Sequence, residues 1–339
     1  MEALLYLVLA ALTILASVTP AVLYSLVVWW LDRYEKEPWG LLAATFFWGA
    51  MPAIVLSLVA EFVLGMPFSG LLGEAGAQLL QGGLLAPIVE ESVKGVAILL
   101  VFLVFRAEFD GPLDGIVYGA LVGFGFGMTE NALYFLGALL EGGAGTWLLV
   151  VFMRTLVFGL NHGLFSAIVG LGFGFASTAG SAWQRWLIPP LGLCGAILVH
   201  AVHNLSTSAA SELCWPVLIG LANDWGGVLV LVLMVFLSWD RERGWIVEEL
   251  RDEMLAGTLS AGEYETAASY HGRLARQWRA LVQDGVGQAR LVRRFFQLAT
   301  ELAFAKRRLR ASLDAGAEDP VISAIRGELT ALRATIAEQ

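Results

Sequence analysis

Seven apolar runs fill most of the first 240 positions, at about 4–31, 40–65, 84–105, 113–138, 147–177, 186–209 and 215–238. A helix needs roughly 20 apolar residues to cross a bilayer, and each run meets that length. In hydrocarbon every backbone N–H and C=O must be bonded within the segment, so such runs fold as helices. The expected fold is all-α: a polytopic transmembrane helix bundle of about seven spans over residues 1–239, with a helical, water-soluble tail over 240–339. Composition supports this division. Of the residues, 58% are hydrophobic and only 15% charged, too apolar for an ordinary soluble protein. From residue 240 on, basic and acidic residues balance at 15 each, so residues 1–239 carry the whole net charge of −9. No basic stripe forms, which argues against nucleic-acid binding. Cys194 and Cys214 lack the CxxC spacing of a thiolate zinc site and suggest no disulfide framework. The first run is too long for a signal-peptide core and lacks a basic leader, so it reads as a retained anchor that Pro20 is able to bend.

The connections between runs alternate in charge. Arg33 and Lys36 follow the first run, Arg106 the third, Arg185 the fifth, and Arg241 and Arg243 the seventh; the second, fourth and sixth connections contain no Lys or Arg. Under the positive-inside rule the N-terminus is expected outside and the tail in the cytoplasm of a multi-pass cell (inner) membrane protein. In the tail, Ser260 and Glu263 fit a capping box, and Leu291, Phe295, Leu298, Leu302, Ala305 and Leu309 recur at helical spacing. A small amphipathic bundle accounts for this pattern. A face that docks a cytoplasmic partner is the other reading.

Polar residues inside the apolar runs are few, and each is costly there unless it lines a cavity or finds a partner. The third run holds Glu90, Glu91 and Lys94, spaced so that the ammonium reaches either carboxylate along one helix. Glu130 and Asn131 lie in the fourth run, Arg154 and His162 in the fifth, and His200, His203 and Asn204 in the sixth. With the topology above, Glu90 falls roughly 9 Å and Glu130 roughly 12 Å below the outer ends of their helices. His200 to Asn204 reach a similar level, so several helices bring acids, imidazoles and amides to the outer half of the membrane. A buried carboxylate such as Glu90 is suited to act as general base on water. Imidazole and amide donors, His200 with Asn204 one turn on, are suited to hold a developing oxyanion. The same imidazoles also suit zinc. The bland alternative is a self-neutralised polar knot that glues helices together. The glycines at 119, 123 and 127 give a small-xxx-small stripe, which lets helix backbones approach closely.

The order of these motifs resembles the PrsW family of intramembrane proteases. The residues that carry the resemblance are Glu90-Glu91-x-x-Lys94, Asp-Gly-Ile-Val-Tyr-Gly at Asp114–Gly119, Thr129-Glu130-Asn131, Arg154 and His162, then His200-x-x-x-Asn204. Asp32-Arg-Tyr-Glu-Lys-Glu-Pro38 resembles the family's first loop, and the likeness extends over about residues 20–240. It implies an endopeptidase that cuts membrane-tethered proteins, anti-sigma factors among them, near the outer face of the membrane. On that reading Glu90 is the general base oriented with His162, Glu91 pairs with Lys94, and His200 with Asn204 stabilises the oxyanion. Asn131, Arg154 and His203 support them. In a metallo-type enzyme the ligands are Glu130, His162 and His200, with zinc as the expected ion; a metal-free, glutamate-activated water is the alternative. No HExxH helix is present. The tail lies outside the resemblance, and His203 adds an imidazole beside the motif pair. A proton or ion pathway built on the same carboxylates and imidazoles is the rival function.

Overall fold

The computed structural model describes residues 2–210, 213–311 and 319–337. Among these the chain is helical and has no strand. The helices are α1 (Glu2–Leu31), α2 (Trp39–Trp48), α3 (Ile54–Leu80), α4 (Ala86–Val104), α5 (Pro112–Phe152), α6 (Asn161–Ser177), α7 (Ala182–Ala209) and α8 (Pro216–Leu255). The helices that follow are α9 (Ala261–Ala267), α10 (Tyr270–Gln283), α11 (Gly285–Ala311) and α12 (Pro320–Ala337).

Among the described residues, five segments are long and apolar enough to cross a membrane: Leu7–Leu31, Trp39–Pro67, Pro112–Ser177, Ala182–Ala209 and Pro216–Leu255. The difference from the expected seven has two physical sources. α4 is 19 residues long but carries Glu90, Glu91 and Lys94, so its charge and not its length sets it apart. Pro112–Ser177 is 66 residues long and contains two of the expected spans. As one straight helix it would run roughly 100 Å, about three times the hydrocarbon thickness. It turns at Gly143, whose φ of 70° and ψ of −169° suit a residue without Cβ, and it leaves regular helix again before Asn161.

The chain forms two compact units. One comprises residues up to Asp32 together with Glu37–Val235; the other comprises Arg33–Lys36 and the residues from Phe236 on. In the first unit α5 is central and packs against α1, α2 and α6, while α7 packs on α6, and α4 on both α6 and α7. Glycine explains how closely α5 and α6 meet. A Cβ on Gly115, Gly119 or Gly123 would run into the α6 backbone at Gly170, Ser166 and His162 respectively. The glycine stripe, extended one turn earlier than the sequence pattern, thus presses α5 along α6 from His162 to Gly170. One turn further on, a Cβ on Gly127 would come within 3.2 Å of the His162 ring.

Among the described residues, three π-helical turns interrupt this unit, at Gly49–Ala53, Gln81–Leu85 and Met153–Val157. The first contains Pro52, which has no N–H for the α ladder. A π turn closes on an i→i+5 bond, so a carbonyl loses its usual donor and needs another partner. Each turn has a carbonyl held by a side chain from a different helix. Thr129 Oγ1 donates to Ala50 O at 2.5 Å, Asn204 Nδ2 to Gly82 O at 2.8 Å, and Tyr24 Oη to Thr155 O at 2.6 Å.

In the second unit Ser260 caps α9 and Glu263 closes the capping box from its side chain at 2.7 Å. Phe295, Leu298, Leu302 and Ala305 form the buried face of α11. Lys306 and Arg326 both pair with the buried Glu253, at 3.1 and 2.7 Å.

Candidate active site

α4, α5, α6 and α7 bring Glu90, Glu91, Lys94, Glu130, His162 and His200 together. All but Glu130 are buried, and Glu91 and Lys94 are fully so. Their hydrogen bonds differ in number, and that difference separates their chemistry. Glu91 has three partners among the described residues: Lys94 Nζ donates to Oε1 at 2.5 Å, His200 Nδ1 lies 2.9 Å from the same oxygen, and Ser166 Oγ donates to Oε2 at 3.2 Å. Glu130 faces His162 Nε2 at 2.7 Å and pairs with Arg154. Arg154 in turn donates to Asn131 Oδ1 at 2.7 Å and lies over the Tyr134 ring. Glu90 is different. Among the described residues its side chain has one partner, Lys94 Nζ, at a long 3.3 Å. Three carboxylates face two permanent cations, and Glu90 is the one with a single, long contact.

The two imidazoles are oriented from behind. His162 presents Nε2 to Glu130 and Nδ1 towards Lys94 Nζ, 3.4 Å away. His200 stacks on Phe165 with ring centroids 4.4 Å apart, and its ring meets that of His162 edge-on at 5.5 Å. A cavity lined by Ser17, Tyr24, Asn131, Arg154 and Asn161 reaches His162 between α1, α5 and α6.

Glu90, Glu91, His162 and His200 each offer a ligand atom, all within 4.8 Å of one another, so the group could hold a metal ion. Carboxylate and imidazole donors are those that zinc takes, and a carboxylate behind a ligating His, as Glu130 stands behind His162, is a usual second partner. The donor types fit. Lys94 Nζ already lies among them and supplies positive charge at that place. Glu130, named with His162 and His200 as a ligand in the sequence reading, occupies the outer side of His162 instead.

The remaining residues singled out from sequence lie nearby. Asn204 bonds to Gly82 O and so steadies the turn that leads into α4. His203 faces away from the carboxylates, 2.7 Å from Asp224 and 3.3 Å from Asn161. Three further polar residues, Asp224, Ser166 and Glu61, lie outside the expected set. Glu61, half-buried on α3, lies within electrostatic reach of Glu90 and Glu130. Glu61 and Asp224 carry the signal that marked Glu90, an acid inside an apolar run. Ser166 carries none.

Comparison with known proteins bears on the same residues. Residues 37–239 match the profile described as the PrsW family intramembrane metalloprotease. The chain belongs to the PrsW family. It is similar to Protease PrsW of Geobacillus kaustophilus, 32% identical over 194 residues, which cover 56% of this chain and 76% of that protein. Protease PrsW of Bacillus subtilis is 30% identical over 209 residues, 61% of this chain and 82% of the relative. No solved structure matches. The PrsW chain described here is accordingly a multi-pass membrane protease, and its family's description as metalloproteases agrees with a cluster able to hold a metal ion. The PrsW match takes in every element that builds the cluster and ends where the tail begins.

Proposed function

We propose that this PrsW protein hydrolyses peptide bonds of membrane-tethered proteins, anti-sigma-factor-like chains among them, near the outer face of the cell membrane. The observation that carries the reading is the unequal satisfaction of the three glutamates. Glu91 and Glu130 are tied down by donors, whereas Glu90 has one long contact and so retains the capacity to take a proton from water. In this mechanism water loses a proton to Glu90 as its oxygen attacks the scissile carbonyl carbon. Lys94 offsets the charge on the glutamates and on the developing oxyanion, while His162, held between Glu130 and Lys94, and His200, held by Glu91, keep these groups in place around it. Glu90 then returns the proton to the departing amine. Asn204 serves by holding the Gly82 turn. A metal such as zinc, when bound, would supply Lewis-acid activation of water at this place; Glu90, Glu91, His162 and His200 would hold it.

The alternating basic connections support an outer N-terminus and a cytoplasmic tail, which puts Glu90 and Glu130 in the outer half of the membrane. The tail unit is then placed to meet a cytoplasmic partner. The ion-pathway reading is not favoured, because membership of a protease family accounts for the same cluster. The test is a survey of new protein termini. Wild-type protein and Glu90→Gln are each reconstituted with the single-span proteins of the host membrane, and the products are read by mass spectrometry. Wild-type-dependent cuts near the outer ends of spans are expected. Identical termini from both proteins would overturn the proposal.

A further inference from the structure

Behind the carboxylate cluster a second buried polar chain runs from α8 to the start of α6. Its direction is fixed at one end. The backbone N–H of His162 belongs to the first turn of α6, where N–H groups lack partners inside the helix. It donates to Asn161 Oδ1 at 2.7 Å. With its oxygen so engaged, the Asn161 amide presents Nδ2 to His203 Nε2, 3.3 Å away. Nε2 is therefore the accepting nitrogen, and Nδ1 carries the proton of a neutral imidazole. Nδ1 lies 2.7 Å from Asp224 Oδ2, while Asp224 Oδ1 accepts from Asn223 Nδ2 at 2.9 Å. Asp224, His203, Asn161 and His162 are all buried, none more than 8% exposed. Every bond points the same way, from the His162 N–H to the Asp224 carboxylate.

We propose that Asp224 is a positioning residue of this active site. It selects the His203 tautomer; that tautomer sets the Asn161 amide, and the amide holds the first turn of α6 with the His162 ring between Glu130 and Lys94. The inference rests on the protease reading given above. Its logic lies in what reversal does. In the other tautomer, Nε2–H would meet the Asn161 amide N–H. The amide would have to turn over, and its N–H would then face the His162 backbone N–H. Buried donors left facing one another are costly, so a choice made at Asp224 is transmitted to His162.

The test uses the full-length protein in nanodiscs, labelled with 15N-histidine. Asp224→Asn, made throughout with Asn223→Ala so that its one acceptor oxygen is left to His203, keeps the shape of the side chain; Asp224→Leu is of similar size and has no acceptor. Wild type and Asp224→Asn should both show His203 with a protonated Nδ1 and a bare Nε2. Asp224→Leu should show Nε2 protonated and a shifted His162 signal. Turnover is followed on the strongest wild-type-dependent product of the host-protein survey. A misplaced catalytic group costs about tenfold to a hundredfold in kcat, so Asp224→Leu should lose that much with KM little changed, and Asp224→Asn should recover most of it. A wild-type His203 protonated on Nε2 would overturn the proposal. So would an Asp224→Leu protein with wild-type kcat. Should Asp224→Leu not fold, an Asp224→Asn protein that keeps the wild-type tautomer yet loses turnover has the same force. Glu90→Gln separates the two readings: turnover by that variant removes the protease mechanism, whereas the tautomer result stands on its own.

Discussion

Replacing Lys94 by Met tests what holds the centre of the membrane unit together. The methionine keeps the length of the side chain and removes its charge. The ammonium lies 2.5 Å from Glu91 and 3.3 Å from Glu90, and both it and Glu91 are fully buried. At an effective dielectric of about 20, unit charges at those distances attract by roughly 7 and 5 kcal/mol. Burying the ammonium costs several kcal/mol in return, so the net loss should fall in the range of about 3–5 kcal/mol seen when one partner of a buried pair is removed. Glu91 keeps His200 and Ser166 as donors, which places most of the damage at Glu90. The assay is unfolding in mixed micelles on titration with a denaturing detergent, followed by the helical signal. A double-mutant cycle with Glu91→Gln isolates the pair, and a coupling of about 2 kcal/mol or more is expected. A coupling under about 0.5 kcal/mol, the level of an exposed pair, would refute the reasoning.

Asn204→Ala should destabilise the protein by about 1–3 kcal/mol, because Gly82 O loses its donor, and Asn204→Asp should not rescue it; the same unfolding titration reads both. Gly123→Ala should cost about 1–3 kcal/mol or more by driving a methyl into the His162 backbone, whereas Gly137→Ala, with open space around it, should be silent. If the cluster holds zinc, Lys94→Met should bind it more tightly than wild type, since the competing ammonium is gone; calorimetric zinc titration of both proteins checks this. Protease added outside intact cells should leave the tail whole, and its cleavage there would reverse the topology.

Much of the architecture is legible in the sequence because the bilayer imposes strong rules. Apolar runs set the helices, and the glycine stripe foretells where α5 and α6 touch. The span count is less legible, since three ionisable residues interrupt the apolar run that forms α4. Glu90, Glu91, His162 and His200 stand out as costly groups at one depth, and the fold brings their ligand atoms within 4.8 Å. What sequence does not carry is direction and partner. Asn204 bonds to a carbonyl 122 positions away, and no spacing announces a backbone acceptor. Asp224 needed only the rule already applied to Glu90. Its role depends on a hydrogen-bond chain through three helices, which a linear pattern does not encode.

The most direct test of the central claim is the rate at which Glu90→Gln cuts a protein that the wild type cuts. The amide is nearly isosteric with the carboxylate but cannot take a proton from water. The account predicts a variant that folds, keeps the wild-type unfolding midpoint within about 1 kcal/mol and shows no detectable turnover. Cleavage by Glu90→Gln at the wild-type rate would contradict it.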